Sequence, residues 1–207
     1  MLSDHRIKNI VFDLGGVLLD IDFNQIVSAL GQVGINQSHL KLNNASFIQF
    51  YKAFEQGELD EDEFAHQLNT YLGLSLNKKQ VINIWNRMLV GASSLKLAKL
   101  KELSKTYFVY LLSNTNPTHW KWIKQHYLIA HNCDFEQLFQ RVFLSHEMGL
   151  SKPDPLIFRR VVEETQIAPT HTLLIDDRRE NTDVAIGLGF HVYTPQTNST
   201  DWVNLFE

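Results

Sequence analysis

Five polar residues follow apolar segments of the chain, at points where buried strands are expected to end. Asp13 follows the first segment, Ser113 and Asn114 follow a second, and Asp176 and Asp177 follow a third. In an open parallel sheet, ligands bind in the crevice beyond the carboxyl ends of the strands. Because three separate strands bring polar groups to that edge, the pattern predicts one composite site rather than three unrelated loops.

The residue types in this set favour a metal-assisted reaction of a phosphoryl group. Carboxylates gathered in one crevice repel each other unless a cation is present. Oxygen ligands without His or Cys indicate a hard cation, and a few carboxylates with open positions suit Mg²⁺. Lys152, within Ser-Lys-Pro-Asp-Pro, adds a cation that phosphoryl chemistry requires. The set therefore predicts a magnesium-dependent phosphoryl site.

Short apolar strands alternate with helical patterns in most of the chain, which indicates an α/β fold with a doubly wound parallel sheet. The helical patterns have turn-like apolar spacing or begin with proline, and they cover residues 94–105, 155–165 and 180–188. The strand patterns are continuously apolar, as expected for strands buried on both faces, and cover residues 10–12, 108–112, 142–144, 173–175 and 190–193.

The segment 19–89 differs from the rest because it has little strand character and many Asn, Gln and Glu residues. Asp60 and Glu63 have the spacing of a capping box at a helix start. We predict an all-helical cap here, inserted into a core formed by residues 1–18 and 90–207. Two crossings between core and cap predict hinges near residues 18–22 and 90–94.

Composition restricts the partners and the location. The 207 residues are 44% hydrophobic and carry a formal net charge of −4, without a clustered basic face. We therefore expect a small-molecule substrate, and neither nucleic acid nor a membrane as partner. Cys133 is the only cysteine, so an internal disulfide is excluded. No apolar run is long enough for a membrane span, and we expect a cytoplasmic monomer or dimer.

Four motifs in order resemble those of the haloacid dehalogenase superfamily. They are FDLGGVL (12–18), LLSNTN (111–116), SKPDP (151–155) and LLIDDRREN (173–181). The resemblance covers the whole chain, and the helical insert lies where that superfamily has its type-1 cap. WNRML (85–89) and SNTNPTHW (113–120) are most similar to the sugar-phosphatase branch that includes alpha-glucose-1-phosphate phosphatase.

The resemblance assigns a role to each residue of the predicted site. Asp13 would be the nucleophile that carries the phosphoryl group. Ser113 and the backbone N–H of Asn114 would bind phosphoryl oxygens, and Lys152 would neutralise charge and orient Asp13. The metal set would be Asp13, the carbonyl of Gly15, and Asp177 with Asp176 beside it; Asn181 would support that set.

Gly15 departs from most phosphatases of the superfamily, which have a second aspartate as general acid and base at this position. Its carbonyl still suits a metal, so the expected deficit is in acid catalysis, a contribution of about 10²–10⁴-fold. Asp20 and Asp22 are candidate replacements. We also predict a substrate with a good leaving group, such as an anomeric phosphate.

Candidate substrate-binding residues outside the core motifs are Trp85, Arg87 and His119. Three rival functions remain at this point. An inactive binding or regulatory protein would account for Gly15, and a 2-haloacid dehalogenase would use the same nucleophile without a metal. A receiver domain of signalling systems has similar residues, but its acidic pair precedes the phosphoacceptor, and here the order is reversed.

Overall fold

The protein is described by a computed structural model that covers residues 6–35 and 44–206. The strands are β1 Asn9–Phe12, β2 Asp20–Ile21, β3 Leu89–Gly91, β4 Phe108–Ser113, β5 Arg141–Leu144, β6 Thr172–Ile175 and β7 His191–Tyr193. The main sheet has five parallel strands in the order β5-β4-β1-β6-β7 within the described residues. A second, two-stranded sheet pairs β2 with β3.

Helices connect these strands and form the insert. The α-helices are α1 Asn24–Gln32, α2 Ala45–Glu55, α3 Glu61–Leu72, α4 Lys78–Trp85, α5 Ser94–Leu103, α6 Pro117–His131, α7 Ser145–Met148, α8 Pro155–Thr165 and α9 Arg179–Gly187. Short 3₁₀ helices cover Asn86–Met88, Glu136–Leu138, Pro169–His171 and Asp201–Phe206. None of the helices in the described part of the chain combines the length and apolarity that crossing a bilayer needs.

Apolar side chains cover both faces of the main sheet. Ile10 and Phe12 of β1 pack into one cluster with residues of α5 and α6, while Val11 packs into a second cluster with residues of α8 and α9. Successive side chains of a strand point to opposite faces, so this division places helices on both sides. The predicted doubly wound α/β architecture is confirmed.

Strand register brings the predicted site residues to one level. Phe12 lies opposite Leu111 of β4 and Ile175 of β6. The next residues along these strands are therefore Asp13 and Asp176, with Ser113 ending β4 one position further on. The clustering predicted from three separate segments follows directly from this parallel pairing.

The insert consists mainly of α1–α4. The predicted capping box at the start of α3 is present, since Asp60 accepts from the Glu63 N–H and the Glu63 carboxylate accepts from the Asp60 N–H. The all-helical description needs one addition, because β2 and β3 form a short antiparallel ladder where the insert meets the core. The division into domains 1–18 plus 90–207 and 19–89 stays a prediction.

Candidate active site

Three carboxylates meet at the carboxyl edge of the main sheet. Asp13 directly follows β1, and Asp176 and Asp177 directly follow β6. The backbone N–H of Asp13 donates to the Ile175 carbonyl at 2.8 Å, which extends the strand pairing to Asp13. Oxygens of the three carboxylates lie within 4.8 Å of one another.

Lys152 is held between two of these carboxylates. Its Nζ lies 2.8 Å from Asp13 Oδ1 and 2.6 Å from Asp176 Oδ2, and it donates to the Leu112 carbonyl at 2.8 Å. An ammonium has three N–H donors, so these acceptors use all of them. Lys152 therefore orients Asp13 and neutralises charge, and none of its donors in this arrangement is left for a phosphoryl oxygen.

The Asn114 side chain holds the Lys152 backbone. Its Oδ1 accepts from the Lys152 N–H at 2.8 Å, and its Nδ2 donates to the Lys152 carbonyl at 2.8 Å. This paired hydrogen bond joins the end of β4 to the Ser-Lys-Pro loop. Ser113 is buried at the end of β4 and lines the same cavity. The sequence predicted both residues near a phosphoryl group but missed the structural function of the Asn114 side chain.

Asp176 and Asp177 have different surroundings although they are neighbours. Asp176 is fully buried, and its two oxygens accept from Lys152, from the Arg178 N–H and from Asn181 Nδ2. Asp177 is half-buried and accepts from the Thr197 hydroxyl at 2.5 Å. Asp176 therefore positions other groups, while Asp177 retains capacity for a cation.

Gly16 permits the close approach of Asp177 to the turn after β1. Its φ is +80°, and a Cβ there would overlap the Asp177 carboxylate. Glycine adopts this left-handed conformation without steric strain. The absence of a side chain at Gly16 therefore lets the Asp177 carboxylate lie against this turn.

Burial and mutual repulsion disfavour the ionised forms of the acidic cluster. Desolvation raises the pKa of Asp13 to about 7, with Asp176 and Asp177 adding to the rise and Lys152 opposing it. The pKa of Asp177 is also raised, mainly by desolvation. Desolvation acts against the charge on Lys152, yet Asp13 and Asp176 raise its pKa above the ordinary value. One lysine does not compensate three carboxylates, so the cluster favours an additional cation.

The donor set fits magnesium. Asp13 and Asp177 offer carboxylate oxygens, and Gly15 lines the same cavity. Asn181 also lines this cavity, and its buried Oδ1 has no hydrogen-bond partner among the described residues. A buried amide oxygen without a donor suits a cation or its bound water. The structure thus supports the predicted Mg²⁺ site on its own chemistry.

A cavity of about 490 Å³ lies over this cluster, between the sheet edge and the insert. His119 lines it, and its ring stacks on Trp85 with centroids 5.7 Å apart. Burial lowers the pKa of His119 to about 4, against a smaller opposing effect of the Trp85 backbone. His119 is therefore neutral near pH 7 and supplies no positive charge to a phosphate.

The structure does not bring four other candidate residues to this cavity. Asp20 is 2.6 Å from Lys96 Nζ, and Asp22 accepts from the Asn24 N–H at the start of α1. Arg87 is exposed and lines a separate depression beside Trp122. Trp85 is buried among aromatic rings of the insert and borders an adjoining cavity. The expectation that Asp20 or Asp22 replaces the acid is corrected, because both carboxylates are engaged elsewhere.

Two residues of α2 that the sequence reasoning missed line the cavity from the insert. Glu55 is buried, and its carboxylate accepts from the Tyr51 hydroxyl at 2.5 Å. Desolvation raises the pKa of Glu55 to about 7. The only available signal was the Tyr-Glu spacing of four residues, which places both side chains on one helix face but is common in ordinary helices.

Comparison with known proteins establishes the family. The profile of a hydrolase family, haloacid dehalogenase-like hydrolase, matches residues 7–189. The chain belongs to this family. The predicted superfamily membership is thereby confirmed, and the enzyme class is that of hydrolases.

Two curated members of the family with phosphatase names are similar over most of their length. D-ribitol-5-phosphate phosphatase of Bacteroides thetaiotaomicron is 33% identical over 196 residues, which cover 95% of each chain. Sesquiterpene phosphatase astK of Aspergillus oryzae is 26% identical over 184 residues, or 88% of this chain and 86% of the relative. A crystal structure of the family enzyme bt-2542 of Bacteroides thetaiotaomicron, in complex with magnesium and inorganic phosphate, has a TM-score of 0.89 at 36% identity and covers 97% and 100% of the two chains.

Proposed function

We propose that the protein is a magnesium-dependent phosphatase of a small phosphorylated sugar or sugar alcohol, which it hydrolyses through a phosphoryl group carried by Asp13. The observation that carries this proposal is the ion pair of Lys152 Nζ with Asp13 Oδ1 at 2.8 Å. Asp13 also lies beside Asp177 in the same acidic cluster. A carboxylate held by a buried cation at the floor of a cavity is suited to nucleophilic attack.

Each residue of the site has a separate role in the first chemical step, the transfer of the phosphoryl group to Asp13. Asp13 attacks phosphorus with its second oxygen while Lys152 fixes Oδ1, and the bond from phosphorus to the leaving oxygen breaks. Asp13, Asp177 and the Gly15 carbonyl would hold Mg²⁺, which supplies positive charge next to the phosphoryl oxygens. Ser113 would donate to a phosphoryl oxygen from the end of β4. Preorganised charge of this kind is the main source of catalysis in phosphoryl transfer.

The substrate class is supported by similarity and by the cavity. The relative that is 33% identical is named for a phosphorylated sugar alcohol, and its match extends over 95% of this chain. The cavity has room for a molecule of that size. Its inner surface combines apolar residues with Tyr51, Glu55 and Arg178, which are groups suited to hydroxyls.

The test is phosphate release from a panel of sugar and sugar-alcohol phosphates, with Mg²⁺ or with EDTA. We expect turnover only with Mg²⁺, and its loss in Asp13→Asn, because an amide is not a nucleophile here. Asp183→Asn is the matched control, since Asp183 is exposed on α9 and pairs only loosely with Arg179. A phosphoryl group that is covalently bound to the wild type, is released by hydroxylamine and is absent from Asp13→Asn would identify the aspartyl-phosphate intermediate.

The same panel addresses the rival functions. Turnover would dismiss an inactive binding protein, while activity unaffected by EDTA would contradict the magnesium assignment. Halide release from a 2-haloacid without metal would favour the dehalogenase instead. A cytoplasmic location and a monomeric or dimeric state stay predictions from the sequence.

A further inference from the structure

In the described part of the chain, the turn after β1 has no side chain that could protonate a leaving oxygen at the position of Gly15. Gly15 has no side chain, and Asp20 and Asp22 are engaged outside the cavity. Hydrolysis of an alkyl phosphate produces an alkoxide unless an acid protonates the leaving oxygen. A group elsewhere in the cavity must supply that proton for such a substrate.

Most titratable residues that line the cavity are unsuited to protonating the leaving oxygen, because they belong to the acidic cluster, are already bound to other groups or have an unsuitable pKa. Asp13 and Asp177 belong to the acidic cluster, and the donors of Lys152 are all used. Burial lowers the pKa of His119 to about 4 and raises that of Tyr51 well above its ordinary value, while the Arg178 guanidinium pairs with Glu180. Among the described residues, this leaves Glu55.

Glu55 is protonated in part near neutral pH, which a general acid requires. Desolvation raises its pKa to about 7. The Tyr51 hydroxyl and the cations Arg178, Lys152 and Lys52 oppose this rise. Glu55 is only 8% exposed, and it borders the cavity that holds Asp13.

The end of α2 is fixed against the core, which places Glu55 reproducibly. Its carbonyl lies 2.5 Å from the Ser145 hydroxyl, and Gln56 Nε2 donates to the Ser151 hydroxyl at 3.0 Å. Gly57 has a φ of +73°, and a Cβ there would overlap the His146 carbonyl. Three contacts from successive residues therefore hold this helix end beside the strand ends.

We propose that Glu55, a cap residue, is the general acid and base of this site and takes the place of the aspartate that Gly15 replaces. The inference rests on the proposed phosphatase function. In the first step Asp13 forms a bond to phosphorus, the bond from phosphorus to the leaving oxygen breaks, and the Glu55 proton passes to that oxygen. In the second step water attacks phosphorus, its proton returns to the Glu55 carboxylate, and the bond to Asp13 breaks.

The test compares leaving groups in the magnesium-loaded enzyme. Glu55→Gln is expected to lower kcat/KM by about 10²–10⁴-fold for the best alkyl phosphate of the panel. For p-nitrophenyl phosphate, whose leaving group needs no proton, we expect a loss below about tenfold on the same reasoning. Residual turnover of the aryl substrate also shows that the variant is folded. Glu58→Gln, an exposed change just beyond α2, is the matched control and should alter neither value.

A second variant tests the replacement of function. A Cβ at Gly15 would lie 3.7 Å from Ile21, an ordinary contact, so Gly15→Asp meets no overlap at its Cβ. In the Glu55→Gln background, this change is expected to restore alkyl phosphate turnover by at least tenfold. Equal losses on both substrates, or no loss on the alkyl phosphate, would overturn the proposal. A wild type without turnover on any phosphate would instead refute the proposed function.

Discussion

Replacing Glu55 by Gln should stabilise the fold at alkaline pH while it removes a group proposed for catalysis. Glutamine has nearly the shape of glutamate, and its Oε1 can accept the Tyr51 hydrogen bond that the carboxylate accepts in the wild type. The two side chains differ in the negative charge of the ionised carboxylate. Burial disfavours this charge, because the buried carboxylate loses its hydration. The wild type must carry that charge above neutral pH, and the variant never does.

The size of the effect follows from the pKa of Glu55, which is raised from 4.5 to about 7. A carboxyl with a raised pKa binds more protons when folded, so stability is complete below pH 4.5 and falls as the pH rises to about 7. Because one pKa unit corresponds to about 1.4 kcal/mol, the full rise corresponds to about 3 kcal/mol. That is roughly 6–12 °C in melting temperature for a chain of this size.

The assay is urea unfolding of wild type and Glu55→Gln between pH 4 and pH 9. Other titrating groups are shared, so the difference between the two proteins isolates Glu55. We expect this difference to shift by about 3 kcal/mol in favour of the variant between pH 4 and pH 8. The exposed Glu58→Gln should show a difference that is independent of pH. A pH-independent difference for Glu55→Gln would refute the assignment of a desolvated carboxyl.

Two further variants test the acidic cluster. Lys152→Met is expected to lower the free energy of unfolding by about 3–5 kcal/mol, because Asp13 and Asp176 lose their buried cation. Lys78→Met removes only an exposed ion pair and should leave the free energy of unfolding nearly unchanged; equal losses for the two variants in urea unfolding would contradict the role of Lys152. Gly16→Ala is expected to weaken Mg²⁺ binding about 10–100-fold in calorimetric titration, because its methyl group displaces Asp177. Gly73→Ala has a similar positive φ in open space and should leave the Mg²⁺ affinity unchanged.

The fold and the core of the site were predictable because both depend on local patterns. Continuous apolar segments predicted the strands, and parallel pairing then required Asp13 and Asp176 to lie at one edge of the sheet. The capping box of Asp60 and Glu63 was predictable for the same reason, since its partners are three residues apart. Polar residues at strand ends thus specified the floor of the cavity.

The side of the cavity formed by the helical insert could not be predicted, because it depends on how the insert packs on the core. From the sequence, Glu55 is expected to be a solvated helix residue. In the structure, the end of α2 packs on the core loops and buries it. From the sequence, Asp20 is a candidate acid. In the structure, it pairs with Lys96, which is 76 residues away along the chain. Both errors come from long-range contacts that no periodicity records.

The docking of α2 through Glu55, Gln56 and Gly57 joins two properties in one short segment. In the proposed mechanism, the segment that lines the substrate cavity also carries the proton that the leaving group takes. An exchange of cap helices between relatives would therefore transfer substrate preference and proton delivery together. Evolution of a new specificity in this enzyme has to pass through variants that keep an acid in α2 or regain one in the turn after β1.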